Sequence, residues 1–86
     1  MEKSKINIKK LSELKRNQIG KIISVSHPNL KLRYRLLEMG LVKDTLVKIK
    51  KISPLGDPVS LEFRNYELCI RKCDLTGLEV KLILNN

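Results

Sequence analysis

One histidine and two cysteines, His27, Cys69 and Cys73, are the side chains here that could act as soft metal ligands or as a base and nucleophile. Nucleophilic catalysis needs a nucleophile within hydrogen-bond reach of a base. The single imidazole stands before Pro28 at the end of a β-branched run, with no partner beside it, so it reads as turn surface. Structural zinc takes four N or S ligands, as a rule from CxxC-like pairs. Three ligands, with the cysteines spaced as C-x-x-x-C, do not meet that pattern. His27, Cys69 and Cys73 are therefore the only candidates for ferrous iron or another divalent ion, and no cofactor is expected. A Cys69–Cys73 disulfide is not expected either, because a strand residue cannot reach a partner so close in sequence at disulfide geometry. Asp57 is the most motif-like carboxylate, but an aspartate in a Pro/Gly turn ordinarily bonds its own backbone. Gly20, Gly40, Gly56 and Gly77 are isolated and form no phosphate-cradling loop. No catalytic residue is assigned, and the chain does not read as an enzyme.

What the sequence does carry is charge. The net charge is +9, and residues 1–51 hold 14 of the 18 Lys and Arg but 4 of the 9 acids, which leaves residues 52–86 close to neutral. A basic half of this kind suits nucleic acid, an anionic inner leaflet or an acidic protein surface, or it simply keeps the protein dissolved. Barrels that bind single strands stack bases on exposed aromatics. Only Tyr34, Phe63 and Tyr66 are aromatic, and Phe63 falls on an apolar face, so no specific nucleic acid is expected.

These residues are positioned by one small domain. Eighty-six residues hold a single core. No apolar run approaches the roughly 20 residues that span a bilayer, and residues 1–10 lack the apolar stretch of a secretory signal. A cytoplasmic location is expected. Leu11–Leu14 suggests a short helical turn, and Ile19–Ser26 a β-branched strand whose Gly20 permits close approach or a bulge. Asn29 after His27-Pro28 caps a helix over 29–39. Its apolar face is Leu32, Leu36 and Met39, its outer side carries Lys31, Arg33 and Arg35, and Gly40 ends it.

Beyond Thr45 the period becomes two. Strands are expected over Thr45–Ile52, with a bulge at Lys50-Lys51-Ile52, and over Val59–Arg64, Tyr66–Arg71 and Glu79–Leu84. Cys69 then points outward and Cys73 falls in the following turn. The loop Pro54-Leu55-Gly56-Asp57-Pro58 and the reversal at Asn65 are short enough to demand antiparallel neighbours. Five short strands, each with one apolar face, bury those faces by curling the sheet on itself. The fold class is mainly β: a small five-stranded antiparallel barrel, SH3-like or OB-like, with one inserted helix and short helical turns, over residues 11–86 behind an N-terminal extension of residues 1–10.

The run Arg35-Leu36-Leu37-Glu38-Met39-Gly40-Leu41, followed by Ser53-Pro54-Leu55-Gly56-Asp57-Pro58 and then Tyr66-Glu67-Leu68-Cys69-Ile70-Arg71-Lys72, resembles the FeoA family. Asp74-Leu75 and Leu78-Glu79-Val80 extend the likeness, which covers about residues 11–84. The resemblance implies an SH3-like barrel that supports FeoB, a polytopic ferrous-iron transporter with a cytoplasmic GTPase domain. The same barrel resembles the C-terminal module of DtxR-type metal-dependent repressors, which gives the alternative of a metal-responsive regulatory module beside that of a nucleic-acid-binding barrel. Three positions depart from the family pattern. Asn17 and Asn65 stand where glycine is usual or frequent and Lys43-Asp44 where Pro-Gly is, and asparagine and aspartate tolerate positive φ. Docking on FeoB through Arg33, Arg35 and the Pro54, Leu55, Gly56, Asp57, Pro58 hairpin is the expectation, with peripheral contact at the inner leaflet and homo-oligomerisation left open.

Overall fold

The computed structural model describes residues 8–84. Most of the expected N-terminal extension, residues 1–7, lies outside the described residues, together with residues 85 and 86. Six antiparallel strands form one sheet: β1 (Ile8–Lys10), β2 (Ile19–Val25), β3 (Leu46–Ile52), β4 (Val59–Phe63), β5 (Tyr66–Ile70) and β6 (Leu78–Leu84), in the order β1-β6-β2-β3-β4-β5. A 3-10 turn, Leu11–Glu13, follows β1, helix α1 (Leu30–Glu38) joins β2 to β3, and a short helix α2 (Lys72–Leu75) joins β5 to β6.

Alternation predicts these strands because each must place every second side chain in the core. Val59, Leu61 and Phe63 of β4 and Val47 and Ile49 of β3 are buried, as are Ile22 of β2 and Leu78 and Val80 of β6. The pairing of β3 with β4 shifts register between Ile49 and Lys51, which is the bulge signalled by consecutive lysines. Gly20 is buried where β2 pairs with β6, beside a register shift between Ile19 and Gly20, and a Cβ there would lie 2.8 Å from Val80 Cγ2, so the close approach and the irregularity expected at this glycine coincide. The β4–β5 reversal is a two-residue turn with Arg64 and Asn65 both at positive φ, and Asn17 and Asp44 are left-handed as well. All three departures from glycine are accommodated by residues with short polar side chains.

The strand not expected is β1. Its three residues pair with β6, Ile8 opposite Lys81 and Lys10 opposite Glu79. With Lys9 half-buried, β1 shows one apolar residue among its described positions, the exposed Ile8. Among the described residues the sheet thus has six strands rather than five. Helix α1 begins where Asn29 Oδ1 accepts from the Leu32 N–H at 3.1 Å. It ends in paired bonds from Gly40 N–H to Leu37 C=O and from Leu41 N–H to Leu36 C=O, with Gly40 at φ 101°. Leu36 is fully buried, and Leu32 and Met39 pack against the core, so the helix closes one side of the curled sheet.

Candidate docking surface

The loop between β3 and β4 is built to be stiff. Gly56 N–H donates to Ser53 C=O at 2.7 Å, and Ser53 N–H to Pro58 C=O at 3.3 Å, which closes the loop at its neck. Contrary to the expectation from sequence, the Asp57 carboxylate does not bond its own turn. It accepts from the Lys72 N–H at 2.7 Å, at the first residue of α2. The physical reason is that α2 has no side-chain cap from its own flank, so its leading N–H groups need an acceptor from elsewhere.

At the tip of this pinned loop Leu55 is 95% exposed, flanked by exposed Pro54 and Pro58. A lone exposed leucine is ordinary on a protein surface. What sets Leu55 apart is that proline, turn hydrogen bonds and the Asp57 tether fix it before any partner arrives, and preorganisation removes an ordering cost from binding. Beside the loop runs a groove of about 470 Å³ whose walls include Leu11, Leu14 and Lys15 on one side and Ile52, Gly56 and Lys72 on the other.

The two arginines of α1 separate in role. Arg33 is half-buried and folded back on its own chain, with Nε and Nη2 donating to the His27 carbonyl at 3.3 and 3.2 Å. Arg33 therefore helps hold the β2–α1 junction together. Arg35 is exposed and lines a second groove with Lys31, Arg71 and Asp74.

The soft-ligand candidates are placed apart in chemistry. His27 Nδ1 accepts from the Asn29 N–H at 3.0 Å. The body of His27 seats on Gly77, where an added Cβ would come within 2.5 Å of His27 Cβ and 2.6 Å of its Cα. Cys69 is exposed on β5 opposite Ser60, and Cys73 is exposed in α2, its thiol 3.6 Å from Asp74 Oδ1. Among the described residues no three His, Cys, Asp or Glu side chains are grouped so as to hold a metal ion.

One cluster went unread in the sequence. Ser60 is buried in β4, and its hydroxyl donates to Glu67 Oε2 at 2.9 Å while Lys50 Nζ lies 3.3 Å from Glu67 Oε1. The Ser60 hydrogen bond first, then the Lys50 hydrogen bond and charge, hold the Glu67 carboxyl below its usual range. A serine on the polar face of a strand gives no sign that it will be covered. The cross-strand pair Glu62 opposite Glu67 and the neighbouring Lys50 bring the carboxylate over it.

Comparison with known proteins places this geometry in a family. The family model described as the FeoA domain matches residues 9–82. A fusion protein of Fe(2+) transport protein A and Fe(2+) transporter FeoB from Porphyromonas gingivalis is 34% identical over 77 residues, 90% of this chain and 9% of the fusion. The chain thus spans under a tenth of that relative's length. The solution structure of an FeoA-like protein from Clostridium acetobutylicum superposes with a TM-score of 0.80 at 32% identity, covering 88% of this chain and 87% of that one. FeoA of Stenotrophomonas maltophilia, an SH3 domain protein solved with zinc, matches with a TM-score of 0.73 at 27% identity over 81% of this chain and 86% of its own. The barrel is SH3-like. A manganese-dependent transcriptional repressor gives a TM-score of 0.81 at 9% identity over 93% of this chain and 44% of its own, a likeness of fold alone.

Proposed function

The chain belongs to the FeoA family, and from that premise we propose that it is a cytoplasmic accessory protein of ferrous iron transport that docks on FeoB and supports or regulates it. The observation that carries the reading is the Porphyromonas gingivalis fusion, in which a relative of this chain and FeoB are one polypeptide. Fusion supplies effective concentration through the linker. Docking itself needs a contact surface on this domain. Leu55 on its pinned loop is the anchor we assign to that contact, with Arg35 contributing from the flank of α1 and Arg33 supporting the fold. No helix of the described residues is long and apolar enough to cross a membrane, so the domain would reach the transporter from outside the bilayer. The basic half of the chain would favour approach to an anionic inner leaflet beside FeoB. The role proposed uses no metal held by this domain and no bond-making step. Titration of the purified chain against the cytoplasmic part of its cognate FeoB, followed by calorimetry, tests it, and absence of binding would refute docking.

A further inference from the structure

The two edges of the sheet are guarded unequally. Natural proteins protect exposed edges by keeping them short or lining them with lysine or proline. Edge β1, among the described residues, is lined by Lys9 and Lys10. Edge β5 does neither. It runs five residues, Tyr66–Ile70, without lysine or proline, and its one charge, Glu67, is occupied by Ser60 and Lys50 on the outer face.

The register shows which backbone groups the β5 edge offers. A two-residue turn at Arg64 and Asn65, both with positive φ, makes Phe63 and Tyr66 a hydrogen-bonded pair. Alternation then directs the N–H and C=O of Tyr66, Leu68 and Ile70 toward β4, and those of Glu67 and Cys69 away from it. Among the described residues no hydrogen bond from another element reaches these outward groups. Along the same edge lie two depressions of about 250 and 240 Å³ between β5 and α1. Phe63, Tyr66, Leu68, Met39 and Leu32 give them an apolar lining. The end nearest Ile70 opens into the groove bearing Lys31, Arg35 and Arg71 against the single acid Asp74.

We infer that the β5 edge is a strand-addition site: an extended segment of a partner protein pairs with Glu67 and Cys69, seats alternate apolar side chains between β5 and α1, and places carboxylates against Lys31, Arg35 and Arg71. The period of two fits this occupant, because a strand added to an edge turns every second side chain to one face. The excess of three cations over one carboxylate sets the sign of its end. The site shares an end of the sheet with the Leu55 loop, since Val59 at the start of β4 faces Ile70 at the end of β5. The inference rests on the reading that FeoB is the partner, and names the conformation and charge of the segment it would contribute.

The variant that isolates the edge is Cys69→Pro, which deletes the outward N–H and leaves the β4 ladder intact, a place where strands accept proline. Cys69→Ser is its control. The cognate FeoB cytoplasmic part, whole and as tiled peptides, is the probe, and amide hydrogen exchange and affinity are the readouts. Expected are slowed exchange at Glu67 and Cys69 in the complex and at least tenfold weaker binding by Cys69→Pro, with Cys69→Ser unchanged. Arg35→Glu/Arg71→Glu should also bind at least tenfold more weakly, and together with wild-type exchange it decides the matter if the proline variant does not fold. Binding without protection at Glu67 and Cys69, and undiminished in Cys69→Pro, overturns the edge while leaving FeoB docking in place. No binding by the wild-type chain overturns both. Protection of the same amides that rises with the chain's own concentration, with a dimer in sedimentation, overturns the inference by giving the edge to a second copy.

Discussion

The Asp57 carboxylate accepts the Lys72 backbone N–H at 2.7 Å, joining the β3–β4 loop to the first turn of α2 across 15 residues of chain. One bond serves two structures. It caps a helix that lacks its own cap, and it fixes the loop that presents Leu55. Asp57→Ala should cost about 1 kcal/mol, the usual loss on removing a cap. Urea unfolding measures the loss, and amide exchange at Lys72 should quicken with it. An unchanged midpoint together with unchanged exchange would mean that the tether holds nothing.

His27 is a joint in the fold. Its backbone and Cβ seat on Gly77, its carbonyl holds Arg33, and Ser26 N–H bonds Gly77 C=O at 2.7 Å. Gly77→Ala pushes a methyl into backbone atoms that cannot turn aside, and should destabilise by about 1 to 3 kcal/mol, the range for overpacking. His27→Gln should leave metal-dependent behaviour unchanged while lowering stability. Equal stability of Gly77→Ala and wild type in urea would contradict the packing account.

Glu67 provides a pH test with a definite sign. Its carboxyl is held below the usual range chiefly by the Ser60 hydroxyl and then by Lys50. A group depressed in the folded state contributes stability that is fully present above its unfolded pKa and is lost as pH falls through the folded value. NMR titration should therefore place the Glu67 midpoint below that of an ordinary glutamate. Ser60→Ala should raise it, and so should Lys50→Met. A midpoint unmoved by Ser60→Ala would remove the assigned cause.

Much of this was legible in the sequence where local physics decides the outcome. The Asn29 cap, the Gly40 terminus, the β3 bulge and the outward setting of Cys69 all follow from spacing within a few residues. Asn17, Asp44 and Asn65 could be assigned to left-handed turns because they stand where the FeoA family that the chain resembles usually carries glycine, and Asn and Asp tolerate that conformation. What escaped depends on partners distant in sequence. Asp57 looked like a turn residue until α2 proved to need an acceptor. Arg33 and Arg35 sit on the outer side of the same helical wheel, and only the path of His27 shows that Arg33 is tied to its carbonyl. Strand β1 shows one apolar residue among its described positions, the exposed Ile8, and its pairing with β6 is a contact distant in sequence.

The basic half predicts a measurable preference for anionic membranes. Each lysine or arginine near such a surface is worth about 1 kcal/mol, and the attraction falls off within a Debye length. Sedimentation with phosphatidylserine-containing vesicles should recover more protein at low salt than at high salt, and more than neutral vesicles do. Equal recovery from both vesicle types would separate the charge from the membrane.

The central claim is that the preformed Leu55 loop anchors this domain on FeoB. Leu55 is almost fully exposed, so Leu55→Glu should change folding stability by no more than about 0.5 kcal/mol. At an interface, an anchor residue costs more than about 1 kcal/mol when removed. The decisive measurement is the calorimetric affinity of wild type and Leu55→Glu for the cytoplasmic part of the cognate FeoB, each checked for equal melting temperature. At least a fivefold loss of affinity with unchanged melting is predicted. Equal affinity of the two proteins would contradict the anchor.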